Sequence, residues 1–153
     1  MKTIILSLAI LVLGFTAKAQ SGSAKQVNWV FAAKKVSGNS WEITMTATIN
    51  GNYHMYAQKA GTEGPVPTSF EFNANPLLVL KGGVKESGSI IRKFEKAWDS
   101  DVNYFEKKAV FTQKVEIKGK VKTSLNGIVT FMVCNDNQCL PPSDVSFKVP
   151  VGG

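Results

Sequence analysis

The sequence predicts an all-β domain, an immunoglobulin-like β-sandwich. Three observations predict it. Apolar and polar residues alternate with a period of two, turn-forming residues punctuate the runs at short intervals, and no stretch of a dozen residues carries strong helical periodicity.

The clearest run is Trp41, Ile43, Met45, Ala47 and Ile49, interleaved with Glu42, Thr44, Thr46 and Thr48. Successive strand residues point to opposite faces, so this run predicts a half-buried strand. Asn50-Gly51 closes it with a turn signal. Phe111, Val115 and Ile117 share one face of a later strand, with Lys114 and Glu116 on the other, and Gly119 then turns the chain. Leu125, Val129, Phe131 and Val133 give a further inward face, and Val145, Phe147 and Val149 a last one. Breakers separate these runs: Gly61 to Pro67, Asn73 to Pro76, Gly82-Gly83, Ser87 to Ser89 and Pro141-Pro142.

Ahead of the strands lies a different pattern. Met1-Lys2-Thr3 is a short basic start, Ile4 to Phe15 is almost wholly apolar, and Ala17-Lys18-Ala19 is a small-x-small cleavage site. This is the layout of a secretory signal, and the apolar run is shorter than the roughly 20 residues of a spanning helix. The expectation is a cleaved signal peptide over residues 1–19, a short polar linker over 20–25 and one domain over 26–153, with no membrane span after cleavage. No Cys near the cleavage site supports a lipid anchor. Removing 19 of the 153 residues leaves 134, one domain's worth. Secretion implies an oxidising compartment, the periplasm in a diderm bacterium.

Composition excludes several classes. The net charge is +7, falling to about +5 once Lys2 and Lys18 leave with the signal. The remaining lysines are scattered, as on solvated faces and strand edges, and no aromatic-basic interleaving suggests nucleic-acid binding. With one His and no G-x-S-x-G there is no hydrolase triad, and no glycine loop for a nucleotide; no cofactor is expected.

Two cysteines carry the chemistry. Cys134 and Cys139 enclose Asn135-Asp136-Asn137-Gln138, which is turn chemistry between strands. Opposed residues of antiparallel strands stand about 4.5 Å apart at Cα, within the span a disulfide accepts. Such a bridge closes only six residues, worth roughly 2 kcal/mol by chain entropy, so it is a weak staple. An attacking thiolate can also reach a bridge of this kind, and exchange then runs through a mixed disulfide. Spacing alone leaves both roles open, and C-x4-C is not the C-x-x-C of thioredoxins. A soft metal site from Cys134, Cys139 and His54 with Met45, Met55 or Met132 falls short of a closed ligand set, and no metal is expected. Within reach of a sulfur, Tyr56 would donate a hydrogen bond to a thiolate, His54 would carry a proton near neutral pH, and Asp136 would oppose thiolate formation.

Four segments then fall in one order: Asn52-Tyr53-His54-Met55-Tyr56-Ala57-Gln58, Gly64-Pro65-Val66-Pro67-Thr68, Tyr104-Phe105-Glu106, and Val133-Cys134 through Cys139-Leu140-Pro141-Pro142. Together they resemble the periplasmic N-terminal domain of the thiol:disulfide interchange protein DsbD, over most of the mature chain. The resemblance implies an immunoglobulin-like fold and thiol–disulfide interchange. Electrons would come from a thioredoxin-like domain or membrane thiol reductase. They would pass to periplasmic disulfide-containing proteins, such as isomerases or cytochrome-maturation factors. It implies that Cys139 makes the mixed disulfides and Cys134 resolves them. It also implies an aromatic cap over the cysteines, for which Trp98 is the match, and places His54 and Tyr56 on the strand beside them. Two features depart from the pattern. Better-known members have five residues between the cysteines where this chain has four, and the membrane and thioredoxin-like domains are missing, so the expectation is a free-standing version. The alternative is a secreted immunoglobulin-like binding module with a structural hairpin disulfide.

Overall fold

The computed structural model describes residues 22–61 and 64–153. The expected signal peptide, residues 1–19, and the first two residues of the expected linker lie outside them. Among the described residues, eleven strands follow one turn of 3-10 helix, Ser23–Gln26: β1 Val27–Ser37, β2 Ser40–Ile49, β3 His54–Tyr56, β4 Ser69–Phe72, β5 Leu78–Ser87, β6 Ile90–Glu95, β7 Ser100–Glu106, β8 Lys108–Ile117, β9 Thr123–Phe131, β10 Val133–Cys134 and β11 Ser143–Val151. No helix among the described residues is long and apolar enough to cross a membrane.

The strands pair antiparallel in three sheets, ordered β1-β2-β8-β5, β10-β3-β7-β6 and β11-β9-β4. Alternation explains the central strands. In β2, Ile43, Met45, Ala47 and Ile49 are buried, and in β8 Ala109, Phe111, Val115 and Ile117 are, with Met45 opposite Phe111 across the ladder. Leu125, Val129 and Phe131 of β9 and Phe147, Val149 and Val151 of β11 meet them from the other side of the sandwich, in one core. Trp29 of β1 ties the layers together, its ring 5.8 Å from Phe111 and 5.5 Å from Phe131. Gly127 is required in β9, since a Cβ there would stand 2.7 Å from Phe147 Cζ and against the Glu71 carbonyl.

Two features place the cysteine hairpin. The chain from Thr123 to Cys134 changes sheets: Phe131 pairs with Ser143 of β11, and Val133 pairs with Met55 of β3. The switch leaves the Val133 amide without a ladder partner, and the N-terminal turn supplies one. Ser23 is fully buried, its Oγ accepts from Val133 N at 3.0 Å and donates to Pro141 O at 2.9 Å, and its own amide donates to Pro141 O. From residue 22 on, the segment expected as linker is therefore packed domain, clasping both arms of the hairpin.

Candidate functional site

The β10-β3-β7-β6 sheet has two faces, and the period of two sorts its residues between them. Val133, Met55 and Phe105 lie opposite one another in register and join the main core. Their neighbours share the other face: Cys134 opposite His54, His54 opposite Glu106, and Tyr56 opposite Tyr104. There Tyr56, Ala60, Val102, Tyr104, Met132 and Cys134 make a second apolar cluster, with Ile91 and Trp98 against it.

Cys134 and Cys139 form a disulfide, with Cα atoms 4.0 Å apart. They pair across the hairpin between the hydrogen bonds Leu140 N to Val133 O and Asn135 N to Gln138 O. That is the closely spaced, non-hydrogen-bonded position of an antiparallel ladder. The tip is an Asx turn: Asn135 Oδ1 accepts from the amides of Asn137 and Gln138, and Gln138 Nε2 donates to the Tyr53 hydroxyl. The two sulfurs are not equivalent. Cys134 is 1% exposed, whereas Cys139 is exposed to solvent.

A cleft of about 570 Å³ opens over the bridge, bounded by both cysteines, His54, Phe94, Glu95 and Asp136 among others. Four groups form one hydrogen-bonded set beneath it. Glu95 accepts from His54 Nε2 at 2.8 Å on one oxygen and from the Tyr56 hydroxyl at 2.7 Å on the other. Trp98 Nε1 donates to the Tyr56 oxygen at 3.0 Å. His54 also lies against Tyr104, ring centroids 4.3 Å apart. Burial pushes the His54 imidazole below its ordinary pKa, against the opposing pull of the Glu95, Glu106 and Asp136 carboxylates. Burial raises Tyr56 far above the usual phenol range, and the hydrogen bond to Glu95 adds to it. Tyr104 is raised by burial first and then by Glu106, Glu95 and Asp136.

Cys134, Cys139, His54 and Asp136 thus meet at one cleft, Asp136 on its exposed rim. Tyr56 and Trp98 stand behind it and do not line it. A tyrosine hydroxyl carries one proton, and that of Tyr56 goes to Glu95, so it is not aimed at a sulfur. Trp98 is half-buried against Tyr56. The exposed aromatic at the cleft is Phe94, 54% exposed on β6, four residues before Trp98 in the same hairpin. Sequence reasoning passed over Phe94 and Glu95. Alternation within Ile90 to Glu95 separates the two residues onto opposite faces; the register with β7 puts Glu95 on the face of His54 and Cys134, while Phe94 borders the cleft from near the end of the strand. Among the described residues, no group of three or more His, Cys, Asp and Glu side chains is arranged to hold a metal ion, and both thiols of the C-x4-C are in the bridge.

Solved structures share this architecture. The Neisseria meningitidis DsbD N-terminal domain in its reduced form matches with a TM-score of 0.58 at 18% identity, over 84% of this chain and 88% of that one. The N-terminal periplasmic domain of ScsB from Proteus mirabilis matches with a TM-score of 0.57 at 16% identity, over 79% of this chain and 49% of that one. At such identities the likeness shows the fold, an immunoglobulin-like sandwich. No curated protein matches the chain in sequence. The family model described as "Thiol:disulfide interchange protein DsbD, N-terminal" matches residues 21–150. With that match spanning nearly the whole described domain, the chain belongs to the family of the DsbD N-terminal domain.

Proposed function

We propose that this protein is a periplasmic thiol–disulfide relay, taking electrons from a thioredoxin-like or membrane thiol reductase and passing them to periplasmic disulfide-containing proteins. Family membership supports thiol–disulfide exchange as the chemistry, and the observation that carries the reading to these residues is the unequal exposure of the two sulfurs. A donor thiolate attacks exposed Cys139, the Cys134–Cys139 bond breaks, and Cys134 leaves as the thiolate that takes up a proton. A second donor thiolate then displaces Cys139 from the mixed disulfide, and the domain is left with two thiols. In the delivering half-reaction Cys139 attacks the acceptor disulfide, and Cys134 attacks Cys139 to release the acceptor reduced. Phe94, near the end of β6 at the border of the cleft, supplies the cover over the bridge in place of Trp98.

Trapping tests the assignment. Cys134→Ser leaves Cys139 free to attack but removes the resolving thiol, so it should accumulate a covalent adduct with a thioredoxin-like protein or glutathione disulfide, seen as a mass increase on Cys139. Cys139→Ser should form at least about tenfold less adduct, because its remaining thiol is buried. Equal trapping by both variants would overturn the assignment.

A further inference from the structure

The exchange reading leaves one step without a proton acceptor. To close the disulfide, Cys134 must lose its thiol proton in a buried position, where a thiolate is disfavoured. We propose that His54 takes that proton, and that Glu95 is the positioning residue that makes His54 able to do so. The proposal rests on the thiol-exchange reading and deepens it.

The geometry supplies three arguments. First, His54 and Cys134 are directly opposed residues of β3 and β10, so their side chains leave the sheet on one face, and both border the cleft. Opposed Cβ atoms lie about 5 Å apart, a separation that one water spans between ring and sulfur. Second, an ionised carboxylate only accepts hydrogen bonds. Glu95, 2.8 Å from Nε2, therefore keeps the proton of a neutral imidazole on that nitrogen and leaves Nδ1 with its lone pair. Tyr56 and Trp98 hold Glu95 from behind, since Trp98 donates to the Tyr56 oxygen and Tyr56 donates to the second carboxylate oxygen. Third, the charges facing the ring favour its protonated form once it arises. They are Glu95 from β6, Glu106 opposite on β7 and Asp136 from the hairpin tip, with the Tyr104 and Tyr56 phenols neutral and the ammonium groups of Lys93, Lys96 and Lys107 elsewhere around the cleft.

The step balances. The Cys134 thiol gives its proton to Nδ1, and the sulfur's electron pair forms the bond to Cys139. The bond from Cys139 to the partner sulfur breaks, and that sulfur leaves with the pair and takes up a proton from the imidazolium or from water. The cysteine pair is oxidised and the partner reduced.

Glutathione disulfide is a sufficient probe. The reduced protein is mixed with it, quenched in acid and alkylated, and the glutathione adduct and the closed disulfide are followed by mass. Adduct formation reports attack by Cys139, and adduct loss reports closure by Cys134. In Glu95→Gln the amide oxygen stays with the Tyr56 donor, which turns the amide NH2 toward Nε2 and shifts the ring proton to Nδ1. Adduct formation should stay within about twofold, while closure at pH 7 slows about tenfold or more. Closure in the variant should also climb about tenfold per pH unit toward the thiol pKa, more steeply than in the wild type. His54→Ala should show the same defect, and imidazole in the buffer should restore its rate, which a purely structural loss would not allow. Closure at the wild-type rate in Glu95→Gln, or a His54→Ala defect that imidazole leaves untouched, overturns the proposal. A wild-type protein that neither forms the adduct nor closes removes the exchange reading itself, and this inference with it.

Discussion

Phe94 is a large apolar side chain left 54% exposed beside a disulfide. Burying it elsewhere would gain roughly 2 kcal/mol, so its position fits a cover better than a packing element. If it screens Cys139 from bulk thiols, Phe94→Ala should speed reduction of the bridge by dithiothreitol several-fold. The melting temperature should hardly move, because little packing is lost. An unchanged rate, followed by alkylation of the freed thiols, would remove Phe94 from that role. The same scale shows what single residues disclosed. The cysteines, His54 and Tyr56 are rare or patterned enough to be picked out of the chain. Phe94 is one of nine phenylalanines and Glu95 one of eleven acids, and only the fold distinguishes them. Trp98 drew attention as a tryptophan, and its indole N–H donates to the Tyr56 hydroxyl, which joins it to the hydrogen-bonded set of Glu95 and His54.

Elements were legible in proportion to their one-sidedness. β2, β8, β9 and β11 each bury one face, so their alternation survives in the sequence. β3 is three residues long and buried on both faces, with Met55 in the main core and Tyr56 in the second cluster. It therefore has no period to read. β1 lies at a sheet edge and carries exposed Val30 and Val36, which blur its pattern. The cysteine hairpin was legible as a turn, because Asn135 is a good Asx residue and the sulfurs fall at a closely spaced ladder position. The clasp of Ser23 on Val133 and Pro141 was not, since it joins residues more than a hundred positions apart. That clasp, the Asx turn and the flanking ladder bonds hold the hairpin without the bridge. With only six residues closed, the bridge adds roughly 2 kcal/mol. The pair should therefore titrate in thiol buffers with a midpoint between roughly −180 and −270 mV, the range of exchange proteins. A midpoint below about −300 mV would mark a structural bridge and favour the binding-module alternative.

At the scale of the whole molecule, the sandwich works as a rigid back wall. One face of the β10-β3-β7-β6 sheet is committed to the core through Met55, Phe105 and Val133, so the residues between them are fixed on the opposite face with the register of the ladder. This arrangement buries a histidine that the chain must keep neutral, and the cost appears in the pH dependence of stability. Burial lowers the pKa of His54 in the folded protein, while an unfolded chain binds that proton near pH 6.5. Between those two values the unfolded state holds more protons than the folded one, so stability falls as the pH drops through that window and is flat above it. Carboxylates contribute their own losses at lower pH, but those are common to the wild type and to His54→Gln, which does not titrate. Urea denaturation at pH 7.5 and pH 5.5 should therefore show a larger loss of stability in the wild type than in His54→Gln. Parallel losses in the two proteins would mean that His54 is as easily protonated in the fold as in water, and burial would not be what keeps the imidazole beside Cys134 neutral.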